Sequence, residues 1–437
     1  MAASEDRAKY LIIGNSAGGI GAAEAIRETD TRGSITMVSD EPYPVYSRPL
    51  ISEYLATGCS LERMLYRSAD FYAAKDIETI LGKRVLSLDA IGYTATLDDG
   101  SIIAWEKLLL ATGGEPIIPP IKGIDYRGVF NFITLDDAAA ITHFLNQFHN
   151  RAVSAVVIGG GLIGVSATEA LVKRGIKVTM VEMKDRILNT ILDEDASAME
   201  AAALQEAGVN IITGHTVAKV ESYTMDMVNS VELEDGTPIL CNLVLVAIGV
   251  RPRLGLVDDS SIETKRGILV DAHMATSHPD IYACGDVAEA YDFIHGENRL
   301  TPIWPNAYAG GRVAGDNMAG VATEYPGGTS LNALKYFGLN AVSAGMVTAP
   351  DDTYETLAEK KGANYRKVIL RDNIIMGLVF VGDIEKSGII YNLMKDRVNV
   401  ESFKQILVSE EFGLASLPEE MWRTHLEMPA AATAQVA

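Results

Sequence analysis

Two segments of this chain share one pattern: a short apolar run, a cluster of glycines, and then a stretch of small residues at helical spacing. The first covers residues 9–27 and the second covers residues 155–174. Each pattern predicts a β-strand, a tight turn and an α-helix. Glycines in such a turn let backbone N–H groups approach a pyrophosphate, which is held at the positive end of the following helix. The repeated pattern therefore predicts two dinucleotide-binding segments.

An acidic residue about 20 positions after the turn completes such a segment, because its carboxylate hydrogen-bonds a ribose hydroxyl. In the second segment Glu182 ends a strand that follows Gly159 at about this distance. In the first segment both Asp40 and Glu41 follow the second strand, and either can serve. A lone glycine-rich turn often reflects only close helix packing, whereas two turns with strand, helix and acid in place favour dinucleotide binding.

The first turn is imperfect, because Ser16 replaces the middle glycine. Serine is small enough to allow the close approach, and its hydroxyl can donate to a phosphate oxygen. We predict contacts with the two nucleotides at Gly14, Ser16, Ala17, Gly18, Gly19, Asp40 and Glu41 in the first segment, and at Gly159, Gly161, Leu162, Ile163, Gly164 and Glu182 in the second.

Three further motifs follow in a fixed order, at residues 108–113, 246–252 and 276–287, and a closing segment covers residues 304–317. Together with the glycine turns they resemble the two-dinucleotide-fold FAD/NAD(P) oxidoreductases of the pyridine nucleotide-disulfide reductase superfamily, over about residues 8–420. The resemblance implies FAD in the first segment and NAD(H) in the second, with Asp286 on the ribityl chain of FAD. It also implies cofactor contacts at Ala111, Thr112, Gly113, Gly249, Gly285, Trp304 and Ala307.

The predicted fold class is α/β, with two Rossmann-like dinucleotide-binding domains, for FAD and NAD, and a C-terminal α+β interface domain. The FAD domain is expected in two parts, 1–115 and 251–325, on either side of an NAD(H) domain at 116–250. The resemblance implies that residues 326–437 form the interface domain, used for dimers or partner subunits. The tail after Trp422 is expected to be disordered.

Cysteine is scarce in the chain, which has only Cys59, Cys241 and Cys284. Their spacing matches no metal-ligand motif and no disulfide framework, so we predict no metal site and a reducing compartment. Disulfide-reducing members of the superfamily carry a cysteine pair soon after the first glycine turn, where this chain has Ser47 and Arg48. Because disulfide exchange and sulfenic acid chemistry need a thiolate, both are disfavoured here.

Residues 46–52 are instead similar to the rubredoxin, ferredoxin and nitrite reductase flavoproteins, which pass electrons from NAD(P)H through FAD to a separate metal centre. Ferredoxin reductases of this branch pair a lysine with a glutamate beside the flavin, and this chain has Glu53 and Ser166 at those places. Either these two side chains still meet beside the flavin, or Glu53 is a solvated helix residue. No catalytic residue is certain, and the flavin-side candidates are Arg48, Pro49, Glu53 and Ser166.

The predicted function is that of an FAD-dependent NAD(H):acceptor oxidoreductase, which passes electrons between NAD(H) and an iron–sulfur partner protein or subunit. The sequence also resembles NAD-reducing flavin subunits of aldehyde or 2-oxoacid oxidoreductase complexes. Two alternatives stay open: a stand-alone NADH oxidase, and a flavin-binding redox-sensing scaffold. Glu182 favours NAD over NADP because its carboxylate would repel a 2′-phosphate, although Lys184 and Arg186 lie close to it in sequence.

The chain is acidic, with 37 Lys and Arg against 58 Asp and Glu and a formal net charge of −21. This balance disfavours nucleic acid as a partner, because such binding depends on basic residues that neutralise phosphates. It would also repel free acidic iron–sulfur proteins, which favours a permanent complex subunit over a free reductase. No apolar stretch approaches the ~18–20 residues of a membrane span, so we expect a soluble cytoplasmic protein.

Overall fold

The computed structural model describes residues 6–148, 152–223, 227–258 and 260–418. The expected disorder of the tail after Trp422 falls outside these residues. The first part of the chain forms β1 (Asp6–Ile13), α1 (Ala17–Thr29), β2 (Ile35–Ser39), α2 (Ile51–Thr57), α3 (Leu61–Met64), α4 (Phe71–Ala74), β3 (Ile77–Leu81), β4 (Val85–Asp89), β5 (Thr94–Leu97), β6 (Ile102–Leu110) and β7 (Gly114–Pro116).

The middle of the chain repeats the alternation of strands and helices. It forms β8 (Val129–Asn131), α5 (Leu135–Asn146), β9 (Ser154–Ile158), α6 (Leu162–Lys173), β10 (Lys177–Glu182), α7 (Glu194–Glu206), β11 (Asn210–Thr213), β12 (Val217–Glu221), β13 (Ser230–Leu233), β14 (Pro238–Leu240), β15 (Leu243–Val246) and β16 (Val250–Pro252).

The last third begins with short strands and one long helix. The elements are β17 (Ile268–Leu269), β18 (Ile281–Ala283), β19 (Ala288–Asp292), β20 (Glu297–Arg299), α8 (Trp304–Met318), β21 (Leu331–Tyr336), β22 (Leu339–Gly345), β23 (Glu355–Lys361), β24 (Asn364–Arg371), β25 (Ile374–Val381) and α9 (Ser387–Lys395).

The first sheet holds the parallel strands β3, β2, β1, β6 and β18 in that order, and the β4–β5 hairpin pairs with the beginning of β6. The central strands are buried on both faces, with Leu11, Ile12, Leu108 and Leu109 fully inaccessible to solvent. Such continuous apolar runs are typical of parallel strands that are covered on both sides. Because β18 completes the sheet, residues separated by the whole middle of the chain belong to one nucleotide-binding fold.

The second sheet is also parallel, in the order β11, β10, β9, β15 and β8. In both sheets the register brings the carboxyl ends of neighbouring strands together: Ile13 lies opposite Leu110 in the first, and Ile158 lies opposite Val181 in the second. Ligands of parallel α/β sheets bind at this edge. The predicted α/β class with two Rossmann-like folds is confirmed.

The described chain divides into two compact units. The larger unit runs up to Ile187 and resumes from Leu204 to Ser330, so it contains both parallel sheets. The smaller unit combines Leu188–Ala203 with the chain from Leu331 onward. The finer division of the chain at residues 115, 250 and 325 stays a prediction.

The smaller unit is built on an antiparallel sheet in the order β21, β22, β25, β24 and β23, together with α9. Strands β24 and β25 are buried along almost their whole length. Inside this unit the buried carboxylate of Asp193 accepts hydrogen bonds from Tyr365 Oη, at 2.6 Å, and from Lys367 Nζ, at 2.8 Å. Among the helices of the described residues, none is both long and apolar enough to cross a membrane.

Candidate functional site

The first glycine turn joins β1 to α1 at the carboxyl edge of the first sheet. Gly14 has a φ of +125°, and a Cβ at this position would lie 2.1 Å from the carbonyl oxygen of Ala111. A Cβ on Gly19 would lie 2.0 Å from the carbonyl oxygen of Gly14. Both positions therefore require glycine, which brings the end of β1, the segment after β6 and the first turn of α1 into backbone contact.

Ser16 is the N-cap residue of α1, and its side chain makes no capping hydrogen bond in this described turn. The capping position therefore leaves the first N–H groups of a 13-residue helix without a hydrogen bond from this side chain. This arrangement fits a pyrophosphate, since helix N-termini carry unsatisfied donors and a partial positive charge.

Gly285 and Asp286 follow β18 at the same edge of the sheet. Gly285 has a φ of +74°, and a Cβ there would approach the Cβ of Ala307 to 3.4 Å, so the first turn of α8 packs against this turn. Burial raises the pKa of Asp286, and the positive charge of Arg48 opposes this effect. The structure thus brings Asp286, Ala307 and the Arg48 segment, all predicted from sequence, to one place.

The two candidate ribose acids of the first segment have different partners. Asp40 accepts hydrogen bonds from Arg253, at 2.8 Å, and from Arg84, at 3.4 Å. Glu41 is nearly buried, pairs with Arg48, and accepts a 2.5 Å hydrogen bond from the hydroxyl of Tyr46. Both carboxylates have partners, so the choice of Asp40 or Glu41 as the residue that binds the ribose stays open.

Arg253 and Tyr46 are the residues of this region that sequence reasoning missed. Arg253 is 213 positions from its partner in the sequence, and only the return of the chain beside β7 brings it close. Tyr46 also accepts a hydrogen bond from the backbone N–H of Leu135, at 3.0 Å, and so ties the Arg48 segment to the start of α5. No sequence motif predicts the contact of Arg253 with Asp40 or the contact of Tyr46 with Leu135.

The second glycine turn repeats the construction of the first. Gly159 has a φ of +106°, and its Cβ would lie 2.3 Å from the carbonyl oxygen of Ala247. A Cβ on Gly164 would lie 2.0 Å from the carbonyl oxygen of Gly159. Gly161, the N-cap residue of α6, has open space around its Cβ position, as a nucleotide phosphate needs. The turn therefore fits a second pyrophosphate.

Glu182 ends β10 beside this turn and is 8% exposed. Its Oε2 accepts a 2.6 Å hydrogen bond from the backbone N–H of Gly160, and its Oε1 accepts one of 2.8 Å from the backbone N–H of Lys184. The carboxylate is therefore held at the carboxyl edge of the sheet. Lys184 itself is exposed, and Arg186 pairs with Asp185 at 3.1 Å.

The segments that link the two folds contain the remaining predicted contacts. Ala111 extends the pairing of β1, because its N–H donates to Ile13, and the hydroxyl of Thr112 donates to the carbonyl of Arg253 at 3.4 Å. Gly113 and Gly249 both have positive φ, and Gly249 lies beside the side chain of Ile117.

Among the flavin-side candidates, Arg48 and Pro49 form a single 3₁₀ turn that leads directly into α2. Glu53 lies in α2 and lines a cavity of about 330 Å³ with Arg63 of α3 and with Glu169 and Lys173 of α6. Ser166 lies earlier in α6 and is not part of this lining. Contact between the side chains of Glu53 and Ser166 beside the flavin stays a prediction.

All three cysteines are free. Burial raises the pKa of the Cys241 thiol and of the Cys284 thiol, each to about 12. Cys284 packs behind the first glycine turn, where a Cβ on Gly18 would lie 2.7 Å from its sulfur. At neutral pH neither buried side chain is a thiolate.

Residues 8–311 match the family model described as pyridine nucleotide-disulphide oxidoreductase. The chain belongs to the pyridine nucleotide-disulphide oxidoreductase family. Residues 331–398 match a second model, the rubredoxin NAD+ reductase C-terminal domain, which lies within the smaller unit. Membership confirms the predicted cofactors, FAD and NAD(H), and makes the chain an electron-transferring oxidoreductase. Both glycine turns fit these groups.

Two known proteins are similar to this chain over most of its length. The chain is 34% identical over 424 residues to the NADH-dependent phenylglyoxylate dehydrogenase subunit epsilon of Aromatoleum evansii, covering 96% of this chain and 99% of that one. It is 32% identical over 380 residues to the NADH-rubredoxin oxidoreductase of Clostridium acetobutylicum, covering 86% and 91%. The crystal structure of NADH:rubredoxin oxidoreductase from Clostridium acetobutylicum is 28% identical, with a TM-score of 0.74 and coverage of 92% and 98%.

Proposed function

We propose that this oxidoreductase passes electrons between NAD(H) and an iron–sulfur protein or subunit, without sulfur chemistry at the flavin. The observation that carries the proposal is the segment before α2, which has Ser47 and Arg48 in the stretch where the family resemblance predicts a redox-active cysteine in disulfide-reducing members. Arg48 is fixed there by Glu41 and donates a 3.3 Å hydrogen bond to the carbonyl of Ile133. A guanidinium in an ion pair cannot act as a nucleophile, so this segment disfavours disulfide exchange and sulfenic acid chemistry at the flavin.

Each glycine turn binds one cofactor in this function. The turn at Gly14 and the N-terminus of α1 hold the pyrophosphate of FAD, and Asp286 binds its ribityl chain. The turn at Gly159 holds NAD(H), with Glu182 on the ribose. Bound FAD would supply the redox chemistry that links the two-electron nicotinamide to a one-electron iron–sulfur centre. The protein binds and orients the two cofactors.

We further propose that the chain is the NAD(H)-linked flavoprotein subunit of a complex that oxidises an aldehyde or a 2-oxoacid. The relative from Aromatoleum evansii is named as subunit epsilon of an NADH-dependent phenylglyoxylate dehydrogenase, and phenylglyoxylate is a 2-oxoacid. Its length matches that of this chain almost completely. The net charge of −21 supports a permanent complex, since close packing in a stable interface can outweigh a repulsion that salt screens.

The decisive experiment purifies the tagged protein anaerobically from its own organism. We expect iron–sulfur subunits to copurify, and NADH to support reduction of a one-electron acceptor such as ferricyanide at a rate far above oxygen consumption. Cys59→Ser should keep the ferricyanide rate of the wild type. Stoichiometric water or peroxide from NADH and oxygen would favour an NADH oxidase, and the absence of rapid flavin bleaching by NADH would favour a sensing scaffold.

A further inference from the structure

Arg253 joins two parts of the larger unit that are far apart in the sequence. Its guanidinium donates a 2.8 Å hydrogen bond to Oδ2 of Asp40, the residue that follows β2. Its backbone is held at the other end, because its N–H donates to the carbonyl of Gly113 at 3.0 Å and its carbonyl accepts from the hydroxyl of Thr112 at 3.4 Å. Arg253 therefore contacts the carboxylate of Asp40 from a backbone that is itself fixed.

Asp40 lies close to the first glycine turn. The N–H of Gly14 donates to the carbonyl of Val38 at 2.8 Å, so the turn is hydrogen-bonded to the end of β2, two residues before Asp40. The proposed function places the pyrophosphate of FAD at this turn. An acid that follows the second strand of such a fold hydrogen-bonds the ribose of the nucleotide. Such an acid needs a carboxylate oxygen that is available to accept.

The two acids that follow β2 differ in this respect. Each oxygen of Glu41 already has a donor: Oε1 pairs with Arg48, and Oε2 accepts the hydrogen bond from Tyr46. Asp40 uses only Oδ2 for its arginine partners, and in the part of the chain that the structure describes no group donates to its Oδ1. Glu41 is nearly buried, whereas the side chain of Asp40 is 26% exposed. Asp40 therefore offers an unused, accessible oxygen to a ribose.

The arginine partners of Asp40 also set the charge beside the turn. Arg84 donates to Oδ2 at 3.4 Å, so two guanidinium groups face one carboxylate. Their positive charges offset the repulsion between this carboxylate and a pyrophosphate. The side chain of Arg84 is 65% exposed, whereas that of Arg253 is 34% exposed and lies closer to the carboxylate. Water screens the exposed pair more strongly, so Arg253 is the partner that holds Asp40.

We propose that Arg253 is a positioning residue for FAD: it fixes the carboxylate of Asp40 so that Oδ1 accepts hydrogen bonds from the hydroxyls of the adenosine ribose. The inference rests on the proposed function, which places FAD at the first glycine turn. A side chain that is already ordered loses little freedom when the ligand binds, so it contributes more to affinity. Because Arg253 acts through Asp40, its removal should weaken binding only where the ribose hydroxyls are present.

The test compares FAD with an analogue whose adenosine ribose lacks both hydroxyls. Holoenzyme is prepared with either flavin, and flavin release after dilution is followed by fluorescence. We expect the wild type to release FAD about 10- to 100-fold more slowly than the analogue, as the loss of hydrogen bonds to a charged group predicts. In Asp40→Ala and in Arg253→Met this ratio should fall to about threefold or less. Arg253→Lys, which keeps a cation near Asp40, should retain most of it.

Arg251→Met is the matched control. Arg251 lies two positions earlier in the chain, within β16, and donates a 2.8 Å hydrogen bond to Glu115 on the neighbouring strand β7. It therefore loses an arginine–carboxylate pair from the same ribbon without a contact to either acid that follows β2. We expect this variant to keep the wild-type release rates of both flavins. A Tm measured for each variant shows that the compared proteins are folded.

The release rates decide the positioning role. A ratio lost in Arg253→Met and regained in Arg253→Lys supports it. If Arg253→Met instead releases both flavins faster by the same factor, the residue only stabilises the local fold, and the inference is overturned. A ratio equal to that of the wild type overturns it as well.

Reduction of ferricyanide by NADH tests the proposed function separately. A wild type that reduces ferricyanide, together with an unchanged ratio in Arg253→Met, would remove the positioning role and leave the proposed function in place. A ratio that depends on Arg253 in a protein that passes no electrons from NADH to ferricyanide would do the reverse.

Discussion

Glu182 Oε2 accepts a hydrogen bond of 2.6 Å from the backbone N–H of Gly160. This contact joins the end of β10 to the glycine turn after β9, so the proposed ribose acid is hydrogen-bonded to the proposed pyrophosphate site. A carboxylate held in this way presents its remaining lone pairs to a ribose without further ordering.

Glu182→Ala should weaken NADH binding about 10- to 100-fold, because hydrogen bonds to a charged group contribute roughly 1.5–3 kcal/mol. NADPH should be affected less, since the wild-type carboxylate repels its 2′-phosphate. Stopped-flow reduction with each nucleotide gives the two dissociation constants. Glu234→Ala, at an exposed hairpin position, is the control. An equal loss for both nucleotides would contradict the assignment of Glu182 to the ribose.

Gly14→Ala should abolish FAD binding, because the new Cβ would lie 2.1 Å from the carbonyl oxygen of Ala111. Overpacking and a strained φ each cost about 1–3 kcal/mol, and here they act together at the cofactor turn. Gly58→Ala is the matched control: Gly58 also has a positive φ, +70°, but nothing lies within 4 Å of its Cβ position. We expect Gly58→Ala to lower the free energy of unfolding by about 1–2 kcal/mol. We expect it to bind as much flavin as the wild type. Flavin content per chain and Tm distinguish the two variants.

The two glycine turns were predictable because their pattern is local: strand, turn and helix follow one another within about 20 residues. The choice between Asp40 and Glu41 as the ribose acid was not predictable, since the partner of Asp40, Arg253, lies 213 positions away in the sequence. Likewise, no sequence pattern indicated that Leu188–Ala203 joins the smaller unit. This segment closely follows β10, which belongs to the second parallel sheet of the larger unit. Local chemistry was readable from the sequence, whereas long-range ion pairs were not.

In the native protein only Cys59 should react with a thiol reagent at pH 8. Cys241 and Cys284 are buried, and their raised pKa keeps them protonated, whereas the thiolate is the reactive form. Titration with dithionitrobenzoate should therefore give about one thiol per native chain and three per denatured chain. Cys59→Ser should abolish the native reaction. A second fast-reacting thiol in that variant would show that a buried cysteine is accessible after all.

The same thiols should make the protein less stable as the pH rises above about 9. Each has a folded pKa of about 12, above the ~8.5 of an exposed thiol, so the unfolded state releases its proton first. Stability is then complete below pH 8.5 and falls towards pH 12, by up to about 1.4 kcal/mol per pH unit for each thiol. Denaturant unfolding from pH 8 to 11 should show a shallower decline in Cys241→Ala than in the wild type. Parallel curves would mean that this thiol does not contribute to the decline.

Lys367→Met should destabilise the smaller unit strongly, because it leaves the buried carboxylate of Asp193 with the hydroxyl of Tyr365 and no cation. Removing one member of a buried ion pair costs about 3–5 kcal/mol. Lys360→Ala is the matched control: Lys360 pairs with Asp195 in the same unit, but both side chains are about half exposed, and such pairs contribute at most about 1 kcal/mol.

Replacing both partners, in Asp193→Asn/Lys367→Met, should recover part of the loss, since no buried charge then remains unpaired. Hydrogen exchange of Leu188–Ala203 measures the effect where it is expected, because Asp193 lies in this segment and Lys367 holds it against β24. Faster exchange there in Lys367→Met, but not in Lys360→Ala, would show that the ion pair anchors the segment to the smaller unit. Equal exchange in the two variants would show that apolar packing alone retains it.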